Sequence, residues 1–128
     1  MLNNYDAIAT VAVKDLQKAR TFYEKALGLV AQPSDGSMAA MVATYGSGGS
    51  RLQVYVSQFA GTNQATAVTW AVDDVEAVAR DLKSRGVSFE RYAIPNATHV
   101  GDVHVMGNRK AAWFKDPDGN VLSIVNRS

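Results

Sequence analysis

His99, Asp102 and His104 lie close together in the stretch IPNATHVGDVHVMGNRK. Imidazoles and a carboxylate at that density could ligate a metal or run acid/base chemistry near neutral pH. In one continuous extended segment, however, positions 99 and 104 point to opposite faces, so only a bend would bring them together. The connection is long for a compact domain, which predicts a lid or an edge over a ligand site, with one histidine touching the ligand or both solvated. Elsewhere, Arg51, Gln53 and Tyr55 alternate along RLQVY, so a strand there presents a cation, an amide and a phenol on one face. Trp113 and Phe114 are adjacent and must point opposite ways, one into a core and one along a site wall. Ser123 interrupts the apolar run VLSIV.

Other site types are excluded by pattern. GSGGS lacks the Lys-Ser/Thr ending of a phosphate loop and reads as a hairpin turn. DPDGN has neither the spacing nor the closing glutamate of a calcium loop and reads as a turn. No serine sits in a nucleophile-elbow pattern.

These residues need elements to hold them. The chain has 128 residues, 47% of them hydrophobic, which suits one domain with its own core or two small halves sharing one. Thirteen basic and twelve acidic residues give a net charge of +1, with neither sign gathered into a run, so nucleic acid and membrane surfaces are not expected partners. There is no cysteine, which removes disulfides, thiolate metal sites and thiol nucleophiles. With no signal-like or membrane-spanning pattern, the expectation is a soluble cytoplasmic protein.

A repeat organises the sequence. VAVKDLQKARTFYEKALGL (Val11 to Leu29) has a counterpart in WAVDDVEAVARDLKSRGV (Trp70 to Val87). Each is a short strand, an aspartate and an amphipathic helix. The apolar faces run Leu16, Ala19, Tyr23, Ala26 and Leu27 in the first, and Val75, Val78, Ala79 and Leu82 in the second. Asp15 and Asp74 stand at the helix N-caps, and Gly28 and Gly86 close the helices. Further strands are predicted at 29–32, 38–45 and 51–57, then at 87–94, 111–115 and 121–126, parted by turns such as PSDG. The fold class is therefore α+β: two βαβββ modules, about 5–58 and 65–127, within a single domain spanning 1–128. Neither half has enough apolar surface to stand alone. The modules are expected to form a curved, mostly antiparallel eight-stranded sheet, helices on its convex face and a concave cup as the ligand site.

The doubled βαβββ order, with VKDLQKARTFYEKALGL opening the first module and WFKDPDGNVLSIV ending the second, resembles the vicinal oxygen chelate superfamily. That superfamily includes glyoxalase I, fosfomycin and bleomycin resistance proteins and extradiol dioxygenases. The resemblance covers nearly the whole chain and implies the fold more than any one reaction. It also implies a divalent metal held by His or Gln on the first strand of each module and Glu on the last. Counting from the capping aspartates and from DPDG, those positions are Ile8, Gln53, Ala67 and Ser123. Isoleucine and alanine offer no donor atom, serine is a poor neutral ligand, and one amide oxygen does not hold a divalent ion in water. No metal and no cofactor is therefore expected.

On this reading the cup face also carries Thr10, Ala12, Thr69 and Ala71, small side chains that leave room for an organic molecule. The candidate ligand-binding residues are Thr10, Arg51, Gln53, Tyr55, Thr69, His99, His104, Trp113 and Ser123. The expected function is metal-independent binding of a small organic ligand, as in bleomycin-resistance-type proteins, without naming the ligand. The alternatives are a glyoxalase-like lyase or isomerase with an unconventional metal or histidine-based site, and a subunit or sensor module with a vestigial cup. The resemblance further implies a homodimer.

Overall fold

Two aspartates begin the two helices by the same device. Asp15 Oδ1 accepts from the amides of Gln17 (2.9 Å) and Lys18 (3.2 Å), and Asp74 Oδ1 accepts from Ala77 N (3.0 Å). Each satisfies donors that a helix start leaves open. In the computed structural model, which describes residues 1–33 and 40–127, the chain divides into two compact units, Met1–Asn63 and Gln64–Ser128.

In the first unit a 3₁₀ turn (Leu2–Asn4) precedes β1 (Ala9–Val13), α1 (Leu16–Arg20), β2 (Val30–Ala31), β3 (Val42–Ser47) and β4 (Ser50–Val56). The helix does not stay regular: from Thr21 to Ala26 it widens into a π-helical turn before Gly28, at φ 74°, releases the chain. The strands are ordered β1-β4-β3-β2, with β1 parallel to β4 and the other neighbours antiparallel. Val11, Val13, Ala43, Tyr45, Leu52 and Val54 are buried, as are Leu16, Ala19 and Tyr23 of the helical segment that packs there. Each large apolar side chain so enclosed contributes about 1.5–3 kcal/mol. Tyr23 and Tyr45 stack with centroids 6.2 Å apart, and the Tyr45 hydroxyl donates to Glu24 Oε2 at 2.9 Å. Burial, then the carboxylate, push the Tyr45 phenol far above its ordinary pKa.

The second unit runs β5 (Thr66–Val72), α2 (Val75–Ser84), β6 (Phe89–Glu90), β7 (Thr98–Val100), β8 (Val103–Met106), β9 (Arg109–Lys115) and β10 (Val121–Asn126). Its main order is β5-β10-β9-β8-β7, with β6 also pairing β9; β5 and β10 are parallel and the rest antiparallel. Val75, Ala79 and Leu82 of α2 are buried, as are Val103, Ala112, Phe114, Leu122 and Ile124 of the sheet. The DPDGN turn is built around the buried Asp116, whose carboxylate accepts from Asp118 N, Asn120 N and Asn120 Nδ2 at 2.8–2.9 Å.

The α+β class and the doubled strand–helix–strand plan are present, but the second unit has more strands than the eight-strand plan allows. The strand predicted over 87–94 is reduced to Phe89–Glu90, and the long connection after it contains a β-hairpin whose first strand, β7, is the edge of its sheet. Gly101, at φ 61°, occupies the first of two turn residues between Val100 and Val103, where a side chain would be strained. The predicted PSDG turn beyond its proline, and the first two residues of the strand expected from Met38, lie outside the described residues.

Candidate functional site

Each sheet has one face packed against its helix and an open face that carries no helix, although in the second unit that face still buries His104, Ala111, Val121 and Ser123. In the first unit the register puts Thr10 opposite Gln53 and Gln53 opposite Thr44, then Ala12 opposite Tyr55 and Tyr55 opposite Val42. Since paired residues share a face, Thr10, Thr44, Gln53 and Tyr55 lie together on the face away from Val11, Val13, Leu52 and Val54. Arg51 joins them with Gly46 as its cross-strand partner, and the Gln32 side chain takes the space that a Gly46 side chain would need. A Cβ at Gly46 would come within 3.1 Å of Gln32 Nε2. A hollow of ≈ 330 Å³ opens there, lined by Asp6, Ile8, Gln32, Gly46 and Arg51 among others. Thr10 is less available than its position suggests, because its hydroxyl donates to Ile8 O at 3.1 Å.

In the second unit Ser123 is in register with both Thr69 and Trp113, and His104 with both Ala111 and His99. All five chemistry-bearing side chains, Thr69, His99, His104, Trp113 and Ser123, therefore belong to the open face. Phe114 goes to the other side, stacked on Trp70 with centroids 6.5 Å apart. The Ser123 and Thr69 hydroxyls are 2.8 Å apart, and Trp113 Nε1 donates to Thr66 Oγ1 at 3.2 Å.

The hairpin supplies the bend that a single strand lacks. His99 and His104 face each other across it, ring centroids 4.5 Å apart and nearly edge to face. Trp113 lies 4.9 Å and Tyr92 6.1 Å from the His104 ring, with Tyr92 and Trp113 5.3 Å from each other. His104 is fully buried, and its Nε2 accepts from Tyr92 N at 2.9 Å. Burial first, and the neighbouring His99 second, lower the His104 pKa below its ordinary value. Tyr92 escaped the sequence reading because the chain leaves β6 at Glu90, so the alternation that flags strand residues stops two positions before it. Gly46 and Gln32 escaped it because a glycine and a loop amide carry no signal until the register is known.

Among the described residues neither candidate grouping of metal donors is assembled to hold an ion. Asp102 turns away from the histidines to Lys83, 3.1 Å distant. His104 has its Nε2 lone pair engaged by Tyr92 N–H, so the neutral ring carries its proton on Nδ1 and has no free lone pair to give. Among the described residues no three His, Asp or Glu side chains are grouped to hold an ion. At the positions the resemblance assigns to a divalent metal, Ile8 and Ala67 have no donor, and Ser123 Oγ is buried against Thr69. Gln53 is the one remaining ligand type, so the residues present do not fit the group.

A family profile described as the Glyoxalase/Bleomycin resistance protein/Dioxygenase superfamily matches residues 5–124. Among solved structures, the chain is similar to an antibiotic-binding protein from Streptomyces sp. CB03234, at 22% identity over 97% of this chain and 96% of that one, with a TM-score of 0.68. It is also similar to the bleomycin resistance determinant encoded on transposon Tn5 (18% identity, 97% and 98% covered, TM-score 0.69). A third is the genomically encoded fosfomycin resistance protein of Listeria monocytogenes (15% identity, 100% and 94% covered, TM-score 0.67). At such identities the likeness is one of fold. No curated protein matches the sequence.

Proposed function

Because the chain belongs to the Glyoxalase/Bleomycin resistance protein/Dioxygenase superfamily, we propose that it is a metal-independent binding protein that holds a small organic ligand on its open sheet faces. The observation that carries this reading is the chemistry of the open faces. Where the superfamily resemblance implies a metal, this chain has an isoleucine, an alanine and a serine bonded to its own neighbour. What it has instead is a cluster of four rings, Tyr92, His99, His104 and Trp113, in one unit. The other unit carries a cation, an amide and a phenol in a row. Aromatic walls with a few placed polar groups suit an organic ligand. Two of the similar structures are an antibiotic-binding protein and a bleomycin resistance determinant, which supports sequestration as the activity.

The proposal includes a homodimer, as the family resemblance implies, and a cytoplasmic location suited to a cysteine-free chain. A histidine-based enzyme is less well supported. With its Nε2 accepting from Tyr92, His104 cannot take a proton from a substrate at that atom, leaving the exposed His99 as the one candidate base. The reading is tested by thermal unfolding against a panel of organic ligands in chelator-treated buffer, with product analysis alongside. At a ligand concentration of about 100 times Kd, binding adds about 2.7 kcal/mol to stability. Stabilisation by at least one ligand with no turnover is expected; turnover, or no stabilisation by any ligand, would count against it.

A further inference from the structure

We propose that the hollow beside Arg51 binds a zwitterion, a small molecule that carries both an amine and a carboxylate and is about the size of an amino acid. The inference deepens the binding reading above, and rests on it, by naming the ligand class for the first unit. Four segments of that unit converge there: the lead into β1 with Asp6 and Ile8, the chain just after β2 with Gln32, Gly46 of β3 and Arg51 of β4. The register explains why. Ala9 pairs with Leu52 and Gly46 with Arg51, so Arg51 stands between the lead into β1 and a residue without a side chain. The space on the glycine side belongs to the Gln32 amide, 3.1 Å from where a Gly46 Cβ would sit. The turn glycines Gly48 and Gly49 form the rim, and a Cβ on either would meet nothing within 4 Å, so the mouth stays open.

The charges say what fits. Arg51 and Asp6 line one hollow of ≈ 330 Å³, yet among the described residues they make no ion pair with each other or with any other side chain. A guanidinium matches a carboxylate, and a carboxylate matches an ammonium. A ligand of one sign would gain one of these contacts and face its like charge in the other. A zwitterion meets both, and the Gln32 amide offers it a neutral donor and acceptor. Ile8, itself 43% exposed, supplies apolar surface for a short aliphatic side chain. The volume is at the small end for ligand sites, which suits an amino acid better than an extended multi-ring molecule.

Calorimetric titration of the full chain with a matched set of probes tests this: L-leucine, leucinamide, whose carboxylate is blocked, and N-acetyl-leucine, whose amine is blocked. Low ionic strength keeps the exposed charges unscreened. Leucine is expected to bind about fivefold more tightly than either blocked form, the weight of one exposed ion pair. It should also shift the amide resonances of Gly46, Gly48 and Gly49. Both charged residues are exposed, so their variants should fold. Arg51→Gln should erase the advantage of leucine over leucinamide, and Asp6→Asn its advantage over N-acetyl-leucine; a merely structural role for either residue would not move these ratios selectively. Equal affinity for leucine and a blocked form, ratios untouched by either variant, or resonance shifts confined to residues away from the three glycines would overturn the assignment while ligand binding in general stands. If leucine does not bind, the assignment falls, and the wider reading survives only if another organic ligand of the panel binds.

Discussion

The hydroxyls of Ser123 and Thr69 lie 2.8 Å apart, joining the last strand of the chain to its parallel neighbour on the open face. That contact explains how a serine sits in the middle of VLSIV at 2% exposure without an unmet polar group. Ser123→Ala should cost about 1 kcal/mol, since Thr69 is exposed and can turn to water. Ser123→Glu, the side chain that the superfamily resemblance implies at this position, should be far worse, by about 3 kcal/mol or more, because it buries a charge with no cation to meet it. Urea unfolding of the two variants measures both; a glutamate variant as stable as wild type and able to retain a metal would show that the position still serves a metal site.

Acid should weaken the fold through His104. Its folded pKa lies below the unfolded value of about 6.5, so between the two the unfolded chain binds more protons. The contribution is therefore fully present above pH 6.5 and is lost as pH falls through the folded pKa. Urea midpoints from pH 8 to 5 should drop on acidification in the wild type and drop less steeply in His104→Phe. Identical slopes would mean that the imidazole is not held neutral.

The capping aspartates should matter unequally. Asp15 serves two amides and Asp74 one, so Asp15→Ala should lose somewhat more than Asp74→Ala, each about 1 kcal/mol. Thermal melts of the single variants check the order.

The fourth case is Asp116, whose buried carboxylate gathers three donors in the DPDGN turn. Asp116→Ala leaves two backbone amides without acceptors and should cost about 3 kcal/mol, the largest loss of any single polar variant named here except Ser123→Glu. A loss under 1 kcal/mol would mean that water replaces the carboxylate freely.

What the sequence made legible follows physical signal strength. The aspartate-capped repeat, the glycine stops and DPDG are short-range determinants, and the elements they bound formed where the pattern put them. From those anchors the alternation along RLQVY and WF placed Arg51, Gln53, Tyr55 and Trp113 on open faces, because period two is fixed by the pleat. The His99–His104 pairing was not legible. Period two does put those positions on opposite faces of one strand, but a two-residue turn headed by Gly101 folds the strand back and pairs them. VGDV is a weak turn signal beside PSDG or GSGGS, and the strand before it, Thr98–Val100, is only three residues long. Tyr92 was out of reach for another reason: its role depends on a backbone amide meeting an imidazole twelve residues away, which only the tertiary register creates.

The most direct measurement is calorimetric titration of the tightest-binding panel ligand into protein stripped with chelator, repeated after adding zinc, manganese, nickel or iron(II). Metal-independent binding predicts the same Kd and stoichiometry in every case. An affinity that vanishes with chelator and returns with one metal would contradict it, and would mean that Ile8, Gln53, Ala67 and Ser123 do not mark where the ion is held.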